Sequence, residues 1–266
     1  MHTTPFNLMG KTALITGSTG GIGYAMAQGL ARAGCDIVLH GLEEHASVKH
    51  LQMEMERTHG VEVSYVRADL ANVRAIVDMM EGLIHANGAV DILVNNAVTR
   101  HFAPIESFPV DAWDNALAVN VSAAFHTIRL SLPEMRSRAW GRIFNMTSVY
   151  GSRAAVNRVD YVTTKTALLG MTRAVALETI NQGITCNAIC PGSVLTPDID
   201  DRVQLLMHEK SLDREAATKL FLSGKQPIQR FVESSHVADL LVFLCSSAGR
   251  DITGTMLPVD GGWLAS

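Results

Sequence analysis

Short apolar runs recur along the chain at residues 12–16, 36–40, 62–68, 91–95, 141–147, 183–189 and 255–259, each bounded by polar or glycine-containing segments. Between them lie longer stretches of helical periodicity, at 21–33, 43–58, 73–87, 111–137, 160–182 and 235–245. Runs this short and this uniformly apolar suit strands buried on both faces, whereas the longer stretches repeat every three to four positions. Strand and helix alternate throughout. The pattern predicts an α/β, doubly wound fold with a seven-stranded parallel sheet, helices on both faces and right-handed crossovers.

One segment breaks the rhythm. Residues 196–225 are charged and helical in pattern, inserted between the sixth and seventh strands just after Pro191-Gly192. An insertion at the carboxyl end of a strand is placed to act as a lid over a site, and a peripheral helical hairpin with no closing motion fits the pattern equally well.

Composition narrows the class. A chain of 266 residues with 47% hydrophobic content and no compositional break is read as a single domain, 1–266, with a core large enough to need no staples. A net charge of -4 without a Lys/Arg-rich run argues against a nucleic-acid surface. Cys35, Cys186, Cys190 and Cys245 lack paired C-x-x-C spacing, and neither a leader-like pattern nor a bilayer-length apolar run is seen. These features predict reduced, mostly buried thiols, a cytoplasmic location, no membrane association and no metal site.

The chemistry starts after the first strand. Thr16-Gly17-Ser18-Thr19-Gly20-Gly21-Ile22-Gly23 follows an apolar run and opens a helix, the context that a lone glycine motif lacks. Gly17 permits a tight turn, Gly21 lets backbone approach a pyrophosphate, and Gly23 allows close packing at a helix N-terminus that attracts phosphate. The second strand ends in His40-Gly41-Leu42, with neither the acidic residue that commonly holds an adenosine 2′-hydroxyl nor an arginine for a 2′-phosphate. With no basic residue in the loop, NAD is preferred over NADP. Asp69-Leu70, after the third strand, is read as the adenine edge, with a helix N-cap as the other role open to Asp69.

Tyr161 and Lys165 stand one helical turn apart on the same face, where an ammonium favours a neighbouring phenolate. Many helices place this pair by chance. Its meaning comes from company: Gly17-x-x-x-Gly21-x-Gly23, Asn95-Asn96-Ala97, Asn120, Ser148, Tyr161-x-x-x-Lys165 and Pro191-Gly192, in this order.

Together these motifs resemble the short-chain dehydrogenase/reductase family over nearly the whole chain. The resemblance implies a Rossmann-type single domain, hydride transfer between a nicotinamide and an alcohol or ketone, and a homotetramer. It makes Tyr161 the general acid/base, Lys165 the holder of the nicotinamide ribose, Ser148 the group polarising the substrate oxygen, and Asn120 the support of a water-linked proton relay. Its cofactor site maps onto Gly17, Thr19, Gly21, Ile22, Gly23, Gly41, Leu42, Asp69, Leu70, Asn95, Ala97, Tyr161, Lys165, Pro191, Gly192, Val194 and Thr196. Val98 departs from the family's glycine at that position, and a branched side chain there raises the question of backbone strain or a reshaped pocket. A non-catalytic dinucleotide sensor is disfavoured by the intact acid/base residues.

Residues 183–192, 225–232 and 259–263 resemble bacterial D-3-hydroxybutyrate dehydrogenases, which makes 3-hydroxybutyrate the leading named substrate. The subfamily's polar substrate residues are replaced here by Arg100, Tyr150, Arg158 and Arg202, while Trp263 is retained as an apolar wall or a packing residue. Guanidinium groups match carboxylate, sulfonate or phosphate bidentately, so the substrate is read as a small anion. A dicarboxylate, a sulfonate, an aromatic acid or a neutral ketone stays open. The arginines either face that anion or pair with acids such as Asp160, Asp198, Asp200 and Asp201.

Overall fold

In the computed structural model, which describes residues 6–266, all seven apolar runs form strands: β1 (Thr12–Ile15), β2 (Asp36–Gly41), β3 (Val63–Arg67), β4 (Ile92–Asn95), β5 (Gly141–Met146), β6 (Ile184–Pro191) and β7 (Met256–Val259). They pair in parallel in the order β3-β2-β1-β4-β5-β6-β7, with Ala13 beside both Ile37 and Ile92. The order reverses direction between β1 and β4. Ligand crevices of doubly wound sheets open at such a switch point, beyond the carboxyl ends of the strands.

The helices are α1 (Gly21–Arg32), α2 (His45–His59), α3 (Val73–Asn87), α4 (Val110–Leu117), α5 (Ala123–Ser137), α6 (Val159–Glu178), α7 (Pro197–Lys210), α8 (Arg214–Leu222) and α9 (Ser234–Cys245). Strand residues alternate between two cores. Ala13, Ile15, Ile37, Leu39, Phe144 and Met146 face the layer of α1 and α9, whereas Leu14, Val38, Leu93, Ile143 and Cys186 face that of α3, α5 and α6. Both faces are therefore covered, which is why the strands read as continuous apolar runs. The close approach of α1 to α9 requires Gly29, where a Cβ would stand 2.8 Å from the Ala238 methyl.

Two predicted elements differ. The single helix expected at 111–137 is divided by a π-helical turn at Ala118–Ser122, whose extra residue shifts the phase of the helix that follows. Residues 43 and 44 stay outside α2, because Glu44 is extended at φ -64° and ψ 144°. The 196–225 insertion forms α7 and α8 around a small core of its own, built on Val203, Ala217, Phe221 and Leu222. Asn72 starts α3 by accepting from the Arg74 and Ala75 amides, and Gly88, left-handed at φ 77°, ends it.

Candidate active site

The loop after β1 is held from three sides. The Thr16 hydroxyl accepts from the Asn96 and Ala97 amides at 2.9 and 3.0 Å, and the Asn96 side-chain amide donates to the Thr16 and Gly17 carbonyls, both at 2.9 Å. The Gly17 amide donates to His40 Nδ1 at 3.1 Å, while His40 Nε2 meets the Ala68 carbonyl at 3.1 Å. One ring nitrogen accepts and the other donates, so His40 is neutral with its proton on Nε2. Burial lowers its pKa, against the pull of the Ala68 carbonyl.

Gly17 has φ 63°, and a Cβ there would lie 3.0 Å from Ala97 Cα. Gly23 is tighter still, with a Cβ position 2.2 Å from the Gly17 carbonyl oxygen. The N-terminus of α1 carries no capping side-chain bond and no acidic residue in its first turn. Its free amides therefore face the crevice with their positive dipole end unsatisfied, which suits a pyrophosphate.

An acid does stand at the end of β2, supplied from farther along. Glu43 folds back over Gly41, where a Cβ would be 2.1 Å from its Oε2, and its Oε1 accepts from the Thr19 hydroxyl at 2.8 Å. Burial raises the carboxyl pKa, but amide and Thr19 hydrogen bonds outweigh it and the net shift is downward. The site thus carries a fixed negative charge beside the glycine loop.

At the other end of the crevice, α6 presents Tyr161 and Lys165. Lys165 is 3% exposed, donates to the Met146 carbonyl at 2.7 Å, and lies 5.5 Å from the centre of the Tyr161 ring. Burial, and next the charge of Arg100, lower its pKa to about 8. Burial raises that of Tyr161, opposed by a hydrogen bond from Ser148 and by the charges of Arg100 and Arg158. Ser148 Oγ also accepts from the Tyr150 amide at 3.3 Å.

Asn120 sits inside the π turn, 3% exposed. Its side chain exchanges two 2.9 Å hydrogen bonds with the backbone of Thr99 and donates to the Thr164 hydroxyl at 3.1 Å. The turn therefore ties the loop after β4 to the helix that carries Tyr161 and Lys165. Asp160 is buried, accepting from the His101 and Tyr161 amides at 2.8 and 2.6 Å.

A cavity of about 1020 Å³ runs from Gly17, Gly41 and Glu43 past Asp69 and Leu70 to Val98, Ser148, Tyr161, Lys165, Pro191, Gly192, Val194 and Thr196. Thr19, Ile22, Gly23, Leu42, Ala97, Arg100 and Arg202 also line it. A second cavity, of about 740 Å³, lies at the opposite end of the strands and shares none of these residues. Gly192 is fixed by Gln226, whose Oε1 accepts from the Ser193 amide at 2.7 Å.

Of the other predicted residues, Asn95, Tyr150, Arg158 and Trp263 are not among those that line the cavity. Asn95 does not line the cavity: its side chain is committed to Asn145 at 2.9 Å and to Thr127 at 2.7 Å, because successive strand residues point to opposite faces. Asp69 turns its carboxylate onto the Ala71 amide at 2.9 Å, leaving the cap of α3 to Asn72. Trp263 is buried behind Tyr150, with ring centres 5.6 Å apart, and Tyr150 stands 6.3 Å from Tyr161. Val98 is absent from the positive-φ residues, so its branched side chain imposes no such strain. The Arg158 guanidinium stacks 4.2 Å from the centre of Phe102 and 5.4 Å from that of Tyr150. Asp200 pairs with Arg214 rather than with the site arginines, and the Asp198 side chain lies outside the described residues.

Sequence reasoning passed over Asn96, Thr16, His40, Glu43 and Gln226. Asn96, Thr16 and His40 stood inside the motifs quoted above without a role of their own, whereas Glu43 and Gln226 had no such signal.

Residues 17–264 match the family model described as enoyl-(acyl carrier protein) reductase. The D-beta-hydroxybutyrate dehydrogenase of Cupriavidus necator is 41% identical over 97% of this chain and 99% of its own. The 2-keto-3-deoxy-L-fuconate dehydrogenase of Xanthomonas campestris is 35% identical over 98% of this chain and 83% of its own. Among solved structures, the L-sorbose reductase of Gluconobacter frateurii, complexed with NADPH and L-sorbose, superposes with a TM-score of 0.93 at 31% identity, covering 99% of this chain and 100% of that one.

Proposed function

The chain belongs to the short-chain dehydrogenase/reductase family, and from that premise we propose that it oxidises a small anionic hydroxy acid with NAD, 3-hydroxybutyrate being the leading candidate. One observation carries the reading. A single cavity joins an uncapped helix N-terminus and the Glu43 carboxylate to the Tyr161, Lys165 and Ser148 side chains, with arginines at its mouth.

The residues present fit a nicotinamide dinucleotide. The amides of α1 would hold its pyrophosphate, Glu43 its adenosine ribose, and Lys165 its nicotinamide ribose. When bound, the nicotinamide accepts the hydride. Tyr161 takes the proton of the substrate hydroxyl, and the nearby Lys165 ammonium favours the phenolate that must form first. Ser148 donates to the same oxygen and holds it against Tyr161. Asn120 positions the loop and helix between which a water relay to Lys165 would run.

Glu43 supports NAD over NADP, since a carboxylate beside the glycine loop repels a 2′-phosphate. The D-beta-hydroxybutyrate dehydrogenase relative supports a 3-hydroxy acid, and the fuconate relative extends the reading to sugar acids. Four buried, unpaired cysteines accord with a cytoplasmic setting, and the resemblance supports a homotetramer, which light scattering tests. Among the described residues, no helix is long and apolar enough to cross a membrane.

The decisive assay follows NADH absorbance with 3-hydroxy acids, sugar acids and neutral alcohols. Acids are oxidised and neutral alcohols are not, and Tyr161→Phe lowers kcat by about a thousandfold while dinucleotide binding is kept. A Tyr161→Phe enzyme with more than a tenth of wild-type kcat refutes the mechanism.

A further inference from the structure

Three cations from separate parts of the chain stand near one another beside the site, and Arg202 lines its cavity. Arg158 precedes α6, Arg202 lies on α7, and Lys225 follows α8. Arg158 is half-buried, flattened on Phe102 and flanked by Tyr150, the ring next to Tyr161. Among the described residues, no carboxylate lies within ion-pair distance of Arg158, Arg202 or Lys225. Neither guanidinium donates a hydrogen bond to another described residue, whereas the site's buried carboxylate, Asp160, is already filled by two backbone amides.

Arg202 and Lys225 form a pair by position. Their charged groups sit 5.1 and 4.2 Å from the centre of the same ring, Phe221, and Lys225 is anchored to the Phe221 carbonyl at 2.9 Å. Phe221 belongs to the small core that joins α7 to α8, so these two charges are carried by the inserted segment. Arg158 stands on the catalytic side. Mutual repulsion is visible in Lys225, whose pKa burial lowers first and Arg202 and Arg158 lower further.

A single carboxylate offers one fork partner for one guanidinium. Two guanidinium groups and an ammonium with no carboxylate partner among the described residues exceed what a monocarboxylate neutralises. Holding them together without counter-charge from the described residues is unfavourable, and a ligand with two separated anionic groups relieves it. We infer that the substrate carries two anionic groups, one bound by Arg158 beside Tyr161 and the other by Arg202 and Lys225 on the inserted helices. This rests on the hydroxy-acid reading above and narrows its substrate class, placing a dianionic hydroxy acid ahead of 3-hydroxybutyrate. Arg158 and Arg202 then have distinct tasks, the first aligning the reacting end and the second selecting the far end.

The test compares 3-hydroxybutyrate with 3-hydroxyglutarate, which carries one carboxylate in place of a methyl hydrogen. Each is oxidised to its 3-oxo acid with one NADH and one proton formed. The dicarboxylate is expected to have about tenfold or greater kcat/KM, mostly through KM. Arg202→Met and Lys225→Met should each lower that ratio by about fivefold or more, Lys225→Arg should retain it, and Arg158→Met should reduce kcat/KM for both acids. Turnover of 3-hydroxybutyrate with a ratio near or below one, or a ratio unmoved in Arg202→Met, overturns the two-anion inference and leaves the hydroxy-acid reading intact. No turnover of either acid by an enzyme that oxidises neutral alcohols overturns both.

Discussion

Adding one methyl group at Gly23 tests whether the glycine loop is as tightly determined as its geometry says. The Cβ of Gly23→Ala would lie 2.2 Å from the Gly17 oxygen and 2.7 Å from Asn96 Nδ2, so the groups must part by about 0.8 Å to reach a tolerable 3.0 Å. Neither side yields easily. Gly17 is pinned by His40 and Asn96, and pressed against Ala97. Overpacking a rigid site costs about 1–3 kcal/mol, and losing the two Asn96 hydrogen bonds about 1 kcal/mol each, giving roughly 3–5 kcal/mol. In a chain of this size that lowers Tm by about 6–10 °C, at about 2 °C per kcal/mol. Gly20→Ala is the internal control, because its backbone is extended at φ -170° and nothing lies within 4 Å of its Cβ position. Calorimetry measures both, and dinucleotide titration should show affinity reduced about tenfold or more in Gly23→Ala. A Tm within 2 °C of wild type (roughly 1 kcal/mol,) would refute the claim that Gly17 and Asn96 cannot move.

Glu43→Gln keeps an acceptor for the Thr19 hydroxyl and removes the charge, so the NADP-to-NAD ratio of kcat/KM should rise about tenfold; an unchanged ratio separates Glu43 from cofactor choice. The folded-state pKa of His40 lies below its unfolded value of about 6.5, so its contribution to stability is complete above that pH and is lost as pH falls through the folded pKa. His59 and His126 shift the same way. Chemical denaturation from pH 7.5 to 5 should therefore show the gap between wild type and His40→Gln narrowing with acid, and a constant gap would contradict the neutral, Gly17-accepting ring. Gly82→Ala, in the interior of α3 with open space at its Cβ position, should raise stability by about 0.5–1 kcal/mol, read as a higher denaturant midpoint.

The sheet was legible because both of its faces are covered, so that every strand became an apolar run with clear ends. The glycine loop was legible for a related reason, since strand, turn and helix lie together in sequence. What escaped depended on chain reversal. Glu43 is three residues past His40 in sequence, yet the bend after Gly41 brings its carboxylate back to Thr19. Asn95 and Asn96 are neighbours with opposite fates, one inside the sheet and one holding the loop, and strand alternation decides between them only once the register is known. Gln226 reaches Ser193 across 33 residues, a contact that no local pattern announces.

The π turn at Ala118–Ser122 also acts as a phase shifter. Each α-helical residue advances the chain by about 100° around the axis, so deleting one residue within the turn would leave a smooth helix and rotate all of α5 by about that angle. Thr127, now bonded to Asn95 at 2.7 Å, would swing away from β4, and the apolar face of Ile128, Leu132 and Met135 would leave its core. The irregularity beside the catalytic residues is thus what keeps two lengths of helix in register with two different neighbours, and straightening it would scramble the packing of a face more than one full turn away.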